Sequence, residues 1–471
     1  MREDVRCGVV AARRLAEGAA LEDVVDTGDP ATWLALDEGV RAQEWYYAPE
    51  VLPAWEGTGS GRRLTAVLRG AERLTESQLA LALCHRDGRI RHRALGQVAG
   101  HPQLLPLVVV RCADWAEPVR ERARRRLAQA LDAHSAARLT ALVLRVGHRY
   151  RGDFAVTLVS DLLCRAPKER FAPLLTHDDR AVRRFAHRLA IGEGLLSPAE
   201  LARVAAHDHD TVVQSLCAEA ALGAVSKGNV QENTEDVVGP LLAARSPRAR
   251  SAGVTALRRL GRPEQAMGFL ADRSALVRAC ARYVVRQYGG DPLAWYRERC
   301  ADPSDAGLPP GAAIGLAECG QRADAALLWP LLDHPAPGVR ARSVAGLRTL
   351  DATDVTRMRR LLDDPAPGVV AEATLTLLPS AALLPEAWLA GRLGTERPRW
   401  VRASAYRLLD AHGGIVRLRT AVRLLGDPDE RLRARAELTV RRSGHIGRAD
   451  AEVAELLQRG RRLLDGASRA H

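Results

Sequence analysis

Hydrophobic and polar positions along the chain follow a repeated pattern. A polar turn leads into Val-Arg or a close equivalent, and an Ala/Leu-rich segment with helical spacing follows. Clear copies are CADWAEPVRERARRRLAQAL, ending at Leu131, and LDHPAPGVRARSVAGLRTL, ending at Leu350. In the second copy Ala341, Val344 and Leu347 are three residues apart, which predicts one apolar stripe on a helix.

The copies recur at a nearly constant distance. If the residue after the hydrophobic position is taken as a marker, successive markers are 28 to 37 residues apart, except for two steps of 62 and 63. Each long step contains a degenerate copy, near Phe154 and near Ala312, and extrapolation towards the start reaches Arg62 and Trp33. About fourteen repeats therefore fill the chain. The markers are Arg91, Arg120, Arg183, Val213, Arg250, Arg278, Arg340, Val370, Arg402 and Arg433.

A repeat of this length holds two helices of about a dozen residues and two short turns. Neither helix can bury its apolar stripe alone, so each hairpin must stack on its neighbours. The apolar spacing never settles into the period of two that a strand requires. The sequence therefore predicts an all-α fold, an α-solenoid of about fourteen stacked helical hairpins.

The turn residues add a family resemblance. An Asp stands six residues before the marker in several repeats: Asp114 before Arg120, and Asp272, Asp364 and Asp427 before their own markers. With this turn the pattern resembles the HEAT-repeat family, in the short prokaryotic form also seen in phycobilisome-lyase-type proteins. The resemblance implies a HEAT-like solenoid and a binding surface, and it implies no particular activity.

The ends of the chain differ from the repeats. Residues 1–58 carry five Arg against twelve Asp or Glu, and they hold Trp33, Trp45, Tyr46, Tyr47 and Trp55. We expect an acidic, aromatic-rich capping segment over 1–58, a degenerate repeat, then the HEAT-like array over 59–466 and a short tail over 467–471. A second interpretation of 1–58, that it docks a partner or shields the array, stays open, because amphipathic aromatics are favoured at interfaces.

Composition narrows the setting. The eight cysteines are scattered without a CxxC pair, which indicates small core residues in a reducing compartment. The longest uncharged apolar stretch, between Glu372 and Glu386, is too short to span a bilayer, and the start of the chain has no secretory pattern. A cytoplasmic protein without a membrane segment is expected.

The net charge of +12 points to an anionic partner, although only Lys168 and Lys227 are lysine and part of the arginine excess reflects a GC-rich composition. Second helices of such arrays line the concave wall, and polar positions just after each marker predict a basic wall there. That wall could hold an acidic protein segment or a phosphate backbone, or it could be a solvated face paired with neighbouring carboxylates. The predicted wall residues are Arg122, Arg125, Arg184, Arg188, Arg282, Arg342, Arg407 and Arg435.

Two places break the period. One is the polar stretch at 226–236, and the other is the Pro/Gly-rich run at 288–311, which holds Trp295 and Tyr296. Insertions in solenoids map to loops that often belong to the binding face. Trp295 and Tyr296 are therefore added to the predicted partner-binding residues, with unselected variation in length as the alternative.

No catalytic, metal or cofactor site is predicted. The chain has no Gly-rich phosphate loop, nucleophile elbow or HExxH motif. His207 and His209 have the spacing of a metal pair, but His207 stands six residues before its marker, as do His85, His177 and His334. These four are interpreted as turn residues that hydrogen-bond the start of a helix.

The sequence favours a non-catalytic scaffold that holds a partner protein on its concave face. The alternative is a nucleic-acid-binding protein. In that class, HEAT-like alkylpurine DNA glycosylases use a basic groove with Trp and an acidic residue, and here Trp115, Trp400 and Asp114 lie beside repeat markers. Those three positions fall in inter-helix turns.

Overall fold

The structure of the chain, a computed structural model, describes residues 3–42, 53, 55–70, 73–226, 234–443 and 451–468. Within these ranges the regular elements are α-helices and short 3₁₀ turns, without a β-strand. There are twenty-eight α-helices in the described ranges, the number that fourteen hairpins require. The predicted all-α helical-repeat fold is confirmed. Trp45, Tyr46, Tyr47 and most of the 226–236 stretch lie outside the described residues.

The chain forms two compact units, Met1–Val237 and Val238–His471. The first contains α1 (Glu3–Ala16), α2 (Pro30–Arg41), α3 (Gly59–Arg69), α4 (Glu76–Cys84), α5 (Gly88–Gln97), α6 (Leu105–Arg111), α7 (Glu117–Ala130), α8 (Ala133–Gly147), α9 (Asp153–Arg165), α10 (Lys168–Leu175), α11 (Arg180–Gly192), α12 (Pro198–His207) and α13 (Thr211–Ser226). The boundary falls within α14 (Thr234–Ala243). The second unit continues with α15 (Pro247–Arg259), α16 (Pro263–Met267), α17 (Ala275–Gln287), α18 (Pro292–Cys300), α19 (Pro310–Cys319), α20 (Ala325–Leu328), α21 (Pro337–Thr349), α22 (Val355–Arg360), α23 (Pro367–Leu377), α24 (Glu386–Ala390), α25 (Arg399–His412), α26 (Gly414–Leu424), α27 (Glu430–Arg442) and α28 (Ala451–Ser468).

Within each unit the helices pack as hairpins, and equivalent helices stack on each other. In the first unit α4 packs on α5, α6 on α7 and α8 on α9, while the first helices α4, α6 and α8 also contact one another in sequence. In the second unit the second helices α19, α21, α23 and α25 form the same kind of stack. Apolar side chains such as Leu347 and Val344 are fully buried between the layers.

First helices of the second unit are shorter than the dozen residues that the repeat length predicts. α16 has five residues, α20 four, α22 six and α24 five. After α20 ends, a 3₁₀ turn over Pro330–Asp333 completes the first half of the hairpin. A proline cannot donate the backbone hydrogen bond that an α-helix needs there, so the helix stops early.

Several marker arginines join their hairpin to the next one. Arg340 donates from Nη1 to the carbonyl oxygen of His334, six residues earlier, at 2.9 Å. Its Nε and Nη2 donate to the carboxylate of Asp364 in the following turn at 2.9 and 2.8 Å. Asp364 in turn accepts from the N–H of Ala366 at 2.8 Å, so one carboxylate orders the turn and binds the preceding repeat. The same marker-to-turn pairing joins Arg91 to Asp114, Arg250 to Asp272 and Arg402 to Asp427.

In some repeats the turn residue six positions before the marker is a histidine, and this histidine orders the turn as the aspartate does elsewhere. Nδ1 of His85, His177 and His334 accepts from the backbone N–H two residues later, at 2.9, 3.0 and 3.0 Å. The prediction is confirmed for these three and is wrong for His207, whose Nδ1 contacts the carbonyl oxygen of Arg203. Asp208 orders that turn instead, and its carbonyl accepts from Gln214 at 2.6 Å. The repeat marker there is therefore Gln214, one residue later than predicted.

The N-terminal helices form a tight hairpin. α1 and α2 cross at Gly8 and Gly39, where a Cβ on either glycine would overlap the backbone of the other helix. Trp33 and Trp55 are both buried, and Trp55 donates from Nε1 to the carbonyl oxygen of Val40 at 2.9 Å. These two indoles are core residues, so they offer no docking surface to a partner.

Candidate binding surface

Two of the predicted wall arginines are committed to ion pairs inside the fold. Arg184 donates from Nε and Nη2 to Asp210 at 2.8 and 3.1 Å. Arg282 is buried and donates to Glu318 at 2.7 Å, sharing that carboxylate with Arg278. Arg282 lies one helical turn after the marker Arg278, so it points into the same inter-repeat contact instead of the wall. The partner-binding prediction is wrong for Arg282, which is buried; for Arg184, which is ion-paired but partly exposed, it stays a prediction.

The other six predicted arginines make no ion pair with any residue in the described ranges. Arg122, Arg125 and Arg188 belong to the first unit, and Arg342, Arg407 and Arg435 belong to the second. Arg122 is half-buried and the other five are exposed. Their part in binding stays a prediction.

The aromatic pair of the 288–311 run is only partly available to a partner. Tyr296 is fully buried, its hydroxyl donates to the carbonyl oxygen of Leu270 at 2.6 Å, and the absent side chain of Gly315 leaves space for its ring. Burial raises the pKa of Tyr296 to about 12 despite the neighbouring Arg282. The prediction that Tyr296 binds a partner is therefore wrong. Trp295 is half-buried against the Tyr296 ring, edge to face, and stays a predicted contact residue.

A different aromatic side chain in the first unit projects from the fold. Trp115, in the turn between α6 and α7, is 70% exposed. The turn is fixed from behind, because Asp114 accepts from the N–H of Ala116 at 3.0 Å and from the buried Arg91. The guanidinium carbon of Arg91 lies 5.6 Å from the centre of the Trp115 ring, a cation–π contact. The indole is therefore held in place while most of its surface faces solvent.

Trp115 borders a shallow cleft of about 890 Å³, which we call the Trp115 cleft. Arg69 and Arg89 line it and make no ion pair with a described residue. Arg93 also lines it and donates to the carbonyl oxygen of Arg69 at 2.6 Å, at the end of α3. The lining residues are Arg69, Asp87, Gly88, Arg89, His92, Arg93, Trp115, Ala116, Pro118 and Val119.

The charge balance of the Trp115 cleft is strongly positive. Three arginines face one carboxylate, Asp87, and that carboxylate already accepts from the N–H of Arg89 at 2.8 Å as the N-cap of α5. An anionic group entering the cleft would therefore meet unneutralised guanidinium groups beside an exposed indole.

Arg122 extends this basic region along the neighbouring second helix. A Cβ placed on Gly96 would lie 2.6 Å from Nη2 of Arg122, so the guanidinium lies directly over that glycine. Gly96 is one helical turn after His92 on α5, and His92 lines the cleft. Arg122 is thus a predicted wall residue that lies one helical turn from the lining of the cleft. Sequence reasoning missed Arg69, Arg89 and Arg93, although Arg89 and Arg93 flank the marker Arg91 by two residues on either side.

Asp114, Cys84 and Cys112 are buried inside the fold. The Asp114 carboxylate, an element of the glycosylase alternative, is buried and accepts from Arg91, Arg111 and the Ala116 N–H. No lone pair remains directed at a substrate, so that alternative loses its acidic residue. Burial raises the pKa of Cys84 and Cys112 to about 12, so neither is a nucleophilic thiolate.

In the described ranges, His, Cys, Asp and Glu side chains do not cluster in threes or more as a metal site would require. None of the helices described is long and apolar enough to cross a bilayer.

Comparison with known proteins gives a likeness of fold. No family model and no curated protein matches the chain. Among solved structures, Kap121p bound to Ste12p matches with 14% identity and a TM-score of 0.29, covering 80% of this chain and 48% of Kap121p. Kap121p bound to the SUMO protease Ulp1p matches with 13% identity and a TM-score of 0.29, covering 85% and 50%. A tubulin-recruiting microtubule polymerase with tumor overexpressed gene domain arrays matches with 12% identity and a TM-score of 0.23, covering 78% and 88%. This chain spans about half the length of Kap121p.

Proposed function

We propose that this protein is a non-catalytic binding scaffold of the short prokaryotic HEAT-like type, and that the Trp115 cleft holds an acidic segment of a partner protein. In this proposal residues 1–58 cap the array, and the protein acts in the cytoplasm. The observation that carries the proposal is the exposed Trp115 on a cleft with three arginines and one internally bonded carboxylate.

The residue types fit a protein ligand. Trp and Arg are the residues most enriched among side chains that dominate protein–protein binding energies. Trp115 is ordered by Arg91 before any partner arrives, so a partner would lose little conformational entropy of the indole on binding. Arg69 and Arg89 can each bind a carboxylate through two parallel hydrogen bonds.

One observation favours the nucleic-acid alternative. An exposed indole beside guanidinium groups can stack on a base while the arginines bind phosphates. In the described turns of the first unit, Tyr150 is a second exposed aromatic, and Arg151 links the two by contacting the Tyr150 ring and donating to the carbonyl oxygen of Trp115 at 3.4 Å. The two ligand classes therefore have to be separated experimentally.

The test is site-specific photo-crosslinking in cells. A photoreactive amino acid replaces Trp115 in one variant and the equally exposed Leu383, in the second unit, in a control variant. We expect a discrete protein adduct at position 115 that is absent at position 383. The adduct should disappear when Arg69→Gln and Arg89→Gln are added.

Each other outcome is informative. An adduct whose extra mass is lost on nuclease treatment would show that position 115 crosslinks to nucleic acid, and it would support the alternative. Equal, diffuse labelling at both positions would contradict the proposed function.

A further inference from the structure

A second cationic surface lies on the first helices of the second unit. The short helix α22 carries Arg357, Arg359 and Arg360, all exposed, and between them Met358 is fully buried. Successive helix positions are about 100° apart, so with Met358 directed inwards Arg357 and Arg359 point sideways in opposite directions. Arg360 points away from the core.

Each sideways arginine meets a tryptophan of a neighbouring hairpin. The guanidinium carbon of Arg357 lies 4.8 Å from the centre of the Trp329 ring, which precedes α22. That of Arg359 lies 5.7 Å from the centre of the Trp388 ring, which follows it. Both indoles are half-buried, so they are fixed supports for the guanidinium groups. We call Trp329, Arg357, Arg359, Arg360 and Trp388 the α22 patch.

The side-chain donors of these arginines make no hydrogen bond to another residue in the described ranges. A guanidinium has five N–H donors, and a cation–π contact uses its charge without using those donors in hydrogen bonds to an oxygen acceptor. Within the described residues Arg357, Arg359 and Arg360 make no ion pair. The nearby carboxylates are engaged elsewhere: Asp354 accepts from the Arg357 backbone N–H as the N-cap of α22, and Asp363 pairs with Arg392.

Arg392 shows the contrasting, structural use of the same contact. It also lies over Trp388, at 3.5 Å, but it donates to the Trp388 carbonyl oxygen at 3.0 Å and to Asp363. Its donors hold the fold together, whereas those of Arg357 and Arg359 do not.

We infer that the α22 patch is a second binding site, for an acidic peptide segment whose carboxylates are bound by Arg357 and Arg359. Bidentate pairing with carboxylates suits planar guanidinium groups that are already oriented. A single-stranded nucleic acid fits the patch less well, because both indoles are half-buried and base stacking needs an open aromatic face. The inference concerns residues other than the Trp115 cleft and stands independently of the function proposed for it.

The experiment measures binding of a fluorescein-labelled peptide of about ten glutamates by anisotropy at low salt, where charge-based affinity is strongest. The full chain carries Arg69→Gln and Arg89→Gln throughout, so that the Trp115 cleft does not contribute. In that background Arg357→Gln with Arg359→Gln should weaken binding at least about tenfold, the loss expected for charged hydrogen bonds. The control, Arg248→Gln with Arg286→Gln, removes the same charge from two exposed arginines on α15 and α17 of the same unit and should change the affinity less than about twofold.

A conservative variant separates geometry from charge. Arg357→Lys with Arg359→Lys keeps both charges but removes the planar donors, and it should still lose most of the affinity. Circular dichroism at 222 nm checks that each variant is folded. Equal weakening in the control, or full affinity in the Lys variant, would mean that net charge alone attracts the peptide. Tighter binding of a single-stranded oligonucleotide through the same arginines would overturn the assigned ligand class.

Discussion

Arg91 and Asp114 form a two-point ion pair between successive hairpins, with Nε donating to Oδ2 at 2.9 Å and Nη2 to Oδ1 at 2.8 Å. Both side chains are buried, and Asp114 also accepts from Arg111, whose other partner is Asp37 of the N-terminal hairpin. A buried network of alternating charges therefore joins α2 to the turn that carries Trp115. The network stabilises the packing of the repeats, and it also fixes the turn that positions Trp115.

Removal of this carboxylate should be costly. Asp114→Ala leaves Arg91 buried without its ion-pair partner, and we expect unfolding of the first unit to become easier by about 3–5 kcal/mol. Urea denaturation followed by circular dichroism measures the change. Arg397→Gln, which breaks only loose surface pairs, should cost under about 1 kcal/mol. A similarly small loss of unfolding free energy for Asp114→Ala would show that the ion pair between Arg91 and Asp114 does not stabilise the repeats.

Core packing gives a second contrast, between neighbours on one helix. Leu347 is fully buried in α21, and Leu347→Ala should cost about 2–5 kcal/mol through the cavity it leaves. Arg348→Ala removes a partly exposed pair with Glu372 and should cost less than about 1 kcal/mol. The urea midpoints of the two variants test the repeat register directly, because equal costs would require a different inward face.

The N-terminal hairpin depends on glycine at one helix crossing. A Cβ at Gly8 would overlap the carbonyl of Ala35, which is backbone and cannot move aside, so Gly8→Ala should destabilise the first unit by about 1–3 kcal/mol. Gly223, within α13, has open space around its missing Cβ, and Gly223→Ala should instead stabilise by about 0.5–1 kcal/mol. Thermal melts of both variants provide the comparison. No destabilisation by Gly8→Ala would mean that α1 and α2 do not approach this closely.

Repeat periodicity predicted the fold because the apolar stripe and the turn recur with every hairpin. Arg340 and Asp364 could be located in advance because each occupies a fixed offset in its repeat. Function was harder to predict, since a position after a marker can point to solvent, as Arg342 does, or into a contact, as Arg282 does. For Arg282 the sequence did offer a signal, because a residue four positions after the marker lies on the same helix face as the marker.

The two aromatic–cation surfaces could not be read along the chain. Trp329 and Arg357 are 28 residues apart, and Trp115 and Arg89 are 26 apart, so their proximity arises only when hairpins stack. Stacking of repeats brings them together in space.

Acid sensitivity should reveal the Glu318 ion pair in the second unit. Burial alone would raise the pKa of Glu318, but hydrogen bonds from Arg278 and Arg282 outweigh it, and the pKa lies below its usual 4.5. A lowered folded-state pKa contributes stability that is present above the unfolded value and lost as the pH falls through the folded one. Glu318→Gln should therefore lower the melting temperature at neutral pH, and the difference from wild type should shrink below about pH 4. A pH-independent difference would exclude titration of Glu318 as its cause.

Salt dependence separates the two ligand classes of the Trp115 cleft. A change of Arg184 to an acidic residue would disrupt its ion pair with Asp210 inside the fold. The informative variant is therefore Arg69→Gln, Arg89→Gln and Arg122→Gln, which leaves the ion pairs between successive repeats intact. If the cleft binds nucleic acid, affinity for a single-stranded oligonucleotide should fall steeply between about 50 and 200 mM salt, because each neutralised phosphate releases counterions. The triple variant should then flatten the slope of log affinity against log salt concentration by up to about three, one for each phosphate contact that is lost. If the cleft binds an acidic protein segment, as we propose, oligonucleotide affinity should be weak at both salt concentrations and unchanged in the triple variant. Filter binding of wild type and variant at the two concentrations decides between them, and tight, salt-steep binding that the triple variant loses would contradict the protein-scaffold proposal.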